Sequence, residues 1–110
     1  MRAVKIQESH VNATERHGIG EDTYDVAGTW LEGKTDGEIF HWFATSGDYG
    51  RCISKVYVDA ADGPPTPVGW VFVKRAKYQD CDETYLHETW VTLLDRDETR
   101  HERDYHELQS

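Results

Sequence analysis

The chain has 110 residues, of which 37% are apolar, 30% charged and 12% aromatic, and its formal net charge is −9. That length fits one domain, and a fold of this size buries roughly two-thirds of its unfolded surface, enough for a core without metal or disulfides. No apolar run nears the roughly 20 residues of a membrane-spanning helix, and four tryptophans oppose general disorder. The composition therefore argues against a helical membrane protein, a collagen-like chain, a disulfide mini-protein and a multidomain enzyme.

Turn signals recur at short intervals and the segments between them alternate, the pattern of an antiparallel all-β domain. Residues 3–8 (AVKIQE) predict a first strand. Residues 9–22 hold Gly18 and Gly20, show no periodicity and read as a loop. Residues 23–32 alternate around Trp30, and the aromatic-rich 38–45 (EIFHWFAT) reads as the strand that follows. Between them Asp36-Gly37 is a strong two-residue hairpin signal. That hairpin would oppose Leu31 with Trp42, Trp30 with Phe43 and Glu32 with His41; a longer GKTDG loop would instead set Glu32 against Glu38. Residues 46–50 read as a turn and 51–59 as a β-branched strand. Residues 60–66, with two adjacent prolines, read as irregular.

Residues 67–78 and 84–94 carry the strongest strand pattern, joined by Gln79-Asp80-Cys81-Asp82-Glu83. If Tyr78 faces Thr84, one face pairs Phe72 with Trp90, Lys74 with Glu88, Ala76 with Leu86 and Val68 with Leu94. The other pairs Val71 with Val91, Val73 with Thr89, Arg75 with His87 and Lys77 with Tyr85. Directly opposed aromatic and opposite-charge pairs each contribute roughly 0.2–1 kcal/mol, and a slip of one residue would invert the faces. Both faces are apolar near Val71 and Val91, so this hairpin should be central in its sheet. Both turn polar toward the connection, so that end should project into solvent. The expected fold is mainly β: a single antiparallel sandwich or partly open barrel of five to six strands over 1–95. An acidic tail follows at 96–110, as a short helix or frayed end in which Tyr105 and Leu108 offer only a thin apolar stripe.

The charge is uneven: residues 1–78 carry a net −2 and residues 79–110 a net −7. Duplex binding draws its affinity from clustered Lys and Arg, so direct nucleic-acid binding is not expected. Such an acidic segment usually keeps a chain soluble; the sharper reading is a decoy that imitates nucleic acid. Cys52 and Cys81 form no CxxC pair and read as free thiols. The opening Met1-Arg2-Ala3-Val4-Lys5 lacks the apolar stretch of a signal peptide, which makes the cytoplasm the expected compartment.

The sequence carries no Gly-x-Ser-x-Gly elbow, P-loop or dinucleotide fingerprint. His101 and His106 lie five apart, off one helical face, and Asp80, Asp82 and Glu83 are only a fragment of a calcium loop, so no metal and no cofactor is expected. His41 with Glu32, and His87 with Glu88, are ordinary polar neighbours in a β domain, and no catalytic set emerges. One cluster stands out. In the register above Arg75, Lys77, Tyr85 and His87 share one face at the exposed end of the hairpin. Cationic groups beside an aromatic ring can hold a phosphate or carboxylate and stack on a planar group, which makes these four the candidate ligand- or partner-binding residues.

The run Gly69-Trp70-Val71-Phe72-Val73-Lys74-Arg75, then Tyr78 and Asp80-Cys81, then Glu88-Thr89-Trp90-Val91-Thr92, resembles small proteins of actinobacteriophages over residues 66–93. The resemblance is one of aromatic strands and brings no active site to transfer. It implies a small cytoplasmic protein made by a phage in a bacterial host. Together these readings predict a non-enzymatic protein-binding module directed at a host or phage protein, with no membrane association and with a homodimer plausible through an edge strand. The alternatives are an acidic nucleic-acid mimic or nucleotide- or anion-binding anti-defence protein, and a small virion component.

Overall fold

The computed structural model describes residues 2–12, 15–45, 47–59, 63–95 and 101–102. Its strands are β1 (Arg2–Val11), β2 (Arg16–Asp25), β3 (Arg51–Asp59), β4 (Thr66–Lys77), β5 (Thr84–Asp95) and the two-residue β6 (His101–Glu102). One helix, α1 (Asp36–Thr45), lies between β2 and β3. The strands form a single sheet in the order β2-β1-β5-β4-β3-β6, antiparallel at every pairing. The mainly-β, antiparallel expectation of five to six strands holds, as an open sheet. The β4–β5 hairpin occupies its centre, as the two-sided apolar pattern requires. The tail expected over 96–110 lies outside the described residues apart from His101–Glu102, whose backbone pairs with Val58 and Asp59.

Three expectations are corrected. First, residues 9–22 are not a loop: β1 runs on to Val11 and β2 begins at Arg16. β2 is an edge strand, mostly exposed, so it needs no apolar alternation and shows none. Second, the Asp36-Gly37 hairpin does not exist. Residues 26–34 fold into successive turns, and 36–45 is helical. Thr35 caps the helix: its Oγ1 accepts from the Glu38 amide at 3.2 Å, and the Glu38 carboxylate accepts from the Thr35 amide at 3.1 Å. This is a reciprocal capping box, and it holds the Glu38 carboxyl below its ordinary pKa. Ile39 and Phe43, four apart, form the buried stripe of α1. So neither Leu31–Trp42, Trp30–Phe43 nor Glu32–His41 is a cross-strand pair.

Third, the β4–β5 register is shifted by one residue. Lys77 faces Thr84, Lys74 faces His87, Phe72 faces Thr89 and Val71 faces Trp90. The hairpin closes through the Tyr78 amide, which donates to the Glu83 carbonyl at 3.1 Å. The shift inverts the pairing of faces, and α1 explains why it is favoured. With Phe72 and Val91 on the same face, both join Val4, Leu93, Ile39 and Phe43 in one buried cluster beneath the helix. The other face gathers Val56, Val58, Val68, Val71 and Trp90. Gly69 lets β4 approach β5 closely, because a Cβ there would lie 2.1 Å from the Val91 carbonyl oxygen.

Candidate functional site

The register decides what becomes of the four predicted site residues. Opposed residues in a sheet share a face, so Arg75 and Lys77 go with Leu86 and Thr84 on the face away from α1. Tyr85 and His87 go with Ala76 and Lys74 on the helix-bearing face. The quartet is therefore split, and its premise of a shared cationic and aromatic surface fails. Arg75 and Tyr85 still border one open hollow at the strand end, with Val11, Asn12, Thr84 and Leu86. His87 and Glu88, consecutive on β5, likewise point to opposite faces.

Tyr85 and His87 acquire other neighbours. Pairing of three strands sets His17, His10 and His87 in a row across β2, β1 and β5, and Lys74 of β4 continues it. The His10 ring lies 4.0 Å from that of Tyr85 and 5.5 Å from that of His87, and Tyr78 packs against Tyr85 at 4.6 Å with the rings inclined at 43°. A nitrogen of His87 lies 3.1 Å from the Glu8 carboxylate, and His17 is paired with Glu15 at 2.7 Å. Lys74 reaches Asp48 at 3.3 Å. Burial and then the neighbouring His87 push the His10 pKa down, which favours the neutral ring. Among the described residues no three His, Cys, Asp or Glu side chains converge to hold a metal ion. Both described cysteines are free and exposed.

A second surface lies on the same side of the sheet, at α1. Trp30, in the turns before the helix, is 53% exposed and packs against Trp42 with ring centroids 4.3 Å apart and the planes inclined at 50°. Trp42 in turn meets buried Phe43 edge-on at 4.9 Å, which ties the exposed pair to the core. Beside the pair runs an open groove of about 580 Å³, bordered by Lys34, Glu38, His41 and Thr45. Lys34 and Glu38 form a long i,i+4 ion pair at 4.0 Å along its rim. The turn that presents Trp30 is fixed by Thr29, whose hydroxyl donates to the Val26 carbonyl at 2.6 Å and accepts from the Leu31 amide at 3.2 Å. Leu31 is thereby buried while Trp30 is left outside.

Sequence reasoning missed this surface because it read both segments as strands. The usable signal was Thr35-x-x-Glu38 ahead of an Ile39/Phe43 spacing of four, a capping box followed by a helical stripe. The histidine row had no local signal, since its members come from residues 10, 17 and 87. No helix among the described residues is long and apolar enough to cross a membrane. No protein-family model, curated protein or solved structure matches this chain.

Proposed function

We propose that the chain is a small protein-binding module without catalysis of its own, encoded by a phage, working in the host cytoplasm and directed at a host or phage protein. The observation that carries this reading is the Trp30–Trp42 pair: two indoles in tilted contact held at the surface over a groove, one of them more than half exposed. Tryptophan is enriched among the residues that dominate binding energy, and its large amphipathic ring loses most when left in water. The rim offers a lysine, a glutamate and a histidine, the polar border that surrounds such anchors.

The test is capture from lysates of an actinobacterial host, infected and uninfected, followed by affinity measurement on the purified partner. Trp30→Ala should weaken that partner by roughly 30-fold or more, the scale of an anchor residue, while the variant's unfolding midpoint stays near that of the parent chain. A partner bound equally well by Trp30→Ala, or substrate turnover by the isolated chain, would overturn the proposal.

A further inference from the structure

We infer that the open end of the helix-bearing face is a stacking site for one nucleobase, in the form of a free nucleoside, with Tyr78, Tyr85 and His10 supplying the rings and Glu8 and His87 the polar edge. This goes beyond the proposed protein contact and uses a different part of the molecule.

Three observations support it. The first is placement. α1 packs over Val4, Phe72, Val91 and Leu93, while the rings of Tyr78, Tyr85 and His10, further along the same face, are left half-exposed. They come from β1, β5 and the turn after β4, and the rings lie within 4.0–6.2 Å of one another. Aromatic rings displayed on an open sheet face are a general platform for bases, because every base has a π-face.

The second is chemistry. The Glu8 carboxylate spends one oxygen on His87 at 3.1 Å and is more than a third exposed, so its other oxygen can accept an N–H. The His87 Nε2 that meets the carboxylate must donate to it, since a carboxylate only accepts, so the other nitrogen of a neutral ring is left as an acceptor. Two acceptors side by side, a carboxylate oxygen and an imidazole nitrogen, suit a base edge that carries an amino group, as in cytosine, adenine or guanine. Thr89, next to His87 on the same face, has a buried Oγ1 with no hydrogen-bond partner, a further polar atom under this end of the sheet.

The third is charge, which selects the form of the ligand. Glu8, Glu15, Asp48, Asp80, Asp82 and Glu83 lie on this face or at this end, against Lys74 on this face and Arg16, Arg75 and Lys77 at this end, where Arg16 is already paired with Glu88, and the chain as a whole is at −9. Polynucleotide binding rests on clustered cations that replace counterions, whereas the described cation at this end of the face, Lys74, is already paired with Asp48. Each added phosphate should therefore weaken binding, giving the order nucleoside, mononucleotide, oligonucleotide.

The experiment is a proton NMR titration of the intact chain with cytidine, uridine, cytidine monophosphate and a short oligodeoxycytidine. Cytidine should move the His10 and Tyr85 ring signals upfield by ring-current shielding and leave the indole signal of Trp30 in place. Uridine should bind more weakly, and Glu8→Gln should narrow the gap between the two. Tyr85→Leu, which keeps apolar bulk and removes the ring, should weaken cytidine roughly tenfold, while Trp30→Ala should not affect it. Should Tyr85→Leu fail to fold, the ring-proton shifts of the parent chain decide alone. Absence of those shifts at millimolar cytidine, or an oligonucleotide that binds more tightly than cytidine with steep salt dependence, would overturn the inference. Either result leaves the Trp30 capture experiment unaffected, so the two readings fail separately.

Discussion

Phe72 and Trp90 sit on adjacent central strands, yet they back onto opposite faces of the sheet. The face around Phe72 is capped by α1 and is wholly apolar where the helix lies: Val4, Leu31, Ile39, Phe43 and Val91 are all nearly inaccessible. The face around Trp90 has no described helix over it and buries a charge. Glu88 is only 6% exposed; its carboxylate accepts from the Trp90 indole at 2.5 Å and from the Arg16 guanidinium at 3.0 Å. One face gains its order from the shape of apolar side chains alone, the other from an apolar cluster with a carboxylate beside it whose two oxygens are both used. Apolar packing tolerates modest changes of volume, whereas a buried ion pair fails as a unit when one member goes.

The largest effect should come from breaking the first face. Phe72→Ala removes a fully buried ring against which Phe40 packs at 5.9 Å, and it should cost about 3–5 kcal/mol in urea unfolding. Because α1 rests on that cluster, the variant should also lose helical signal in far-UV circular dichroism before the sheet melts. Val56→Ala, in the other cluster, should cost less and leave the helix signal tied to global unfolding. If both variants unfolded in a single step, with the helix intact to the end, the two faces would not be separable.

Next in size is the charged core of the second face. Glu88→Ala strands the Trp90 N–H and the Arg16 guanidinium, whose Nε already lacks a partner. A broken buried pair costs about 3–5 kcal/mol, but the Arg16 side chain is 28% exposed and water can take up part of its charge, so about 2 kcal/mol is expected. Glu88→Gln retains an acceptor for the indole and should cost roughly half as much. Equal costs for the two substitutions would mean that the carboxylate is not what Trp90 and Arg16 require.

The same contrast explains how much could be read from the chain alone. β3, β4 and β5 were legible because each carries a dense β-branched and aromatic run between strong turn signals. The central place of the hairpin followed from its two apolar faces. The register did not, because Phe72 opposite Trp90 and Lys74 opposite Glu88 look favourable locally, and only burial of Phe72 with Val91 beneath α1 outweighs them. The helix was hidden by Asp36-Gly37, a hairpin signal that also fits a first helical turn, where Asp36 suits the positive end of the helix and Gly37 costs about 1 kcal/mol relative to alanine. β2 was hidden because an exposed edge strand has no apolar face to display. Of the candidate site, Tyr85 and His87 are legible, but their neighbours Glu8 and His10 depend on the β1–β5 pairing, which no local pattern encodes, while Tyr78 comes beside Tyr85 through the β4–β5 hairpin itself.

The smallest expected effect lies where the helix face opens, and it is a pH dependence. Within the folded chain His10 is held neutral, first by burial against the Tyr78 and Tyr85 rings and then by repulsion from His87, with Glu8 opposing and His17 adding weakly. Its folded pKa therefore lies below the unfolded value of about 6.5. Between those two values the unfolded chain binds more protons than the folded one, so stability must rise with pH across that window. The contribution is complete above about pH 6.5 and is lost as pH falls toward the folded pKa. Urea midpoints measured from pH 8 down to pH 5 should decline, and His10→Phe, which keeps a ring between Tyr85 and His87, should flatten the decline. The comparison isolates His10, because His17, His87, Glu8, Glu15 and Lys74 remain in both proteins. Parallel profiles for the two proteins would show that His10 protonates as freely in the folded sheet as in the unfolded chain, and that the neighbouring rings do not exclude water from it.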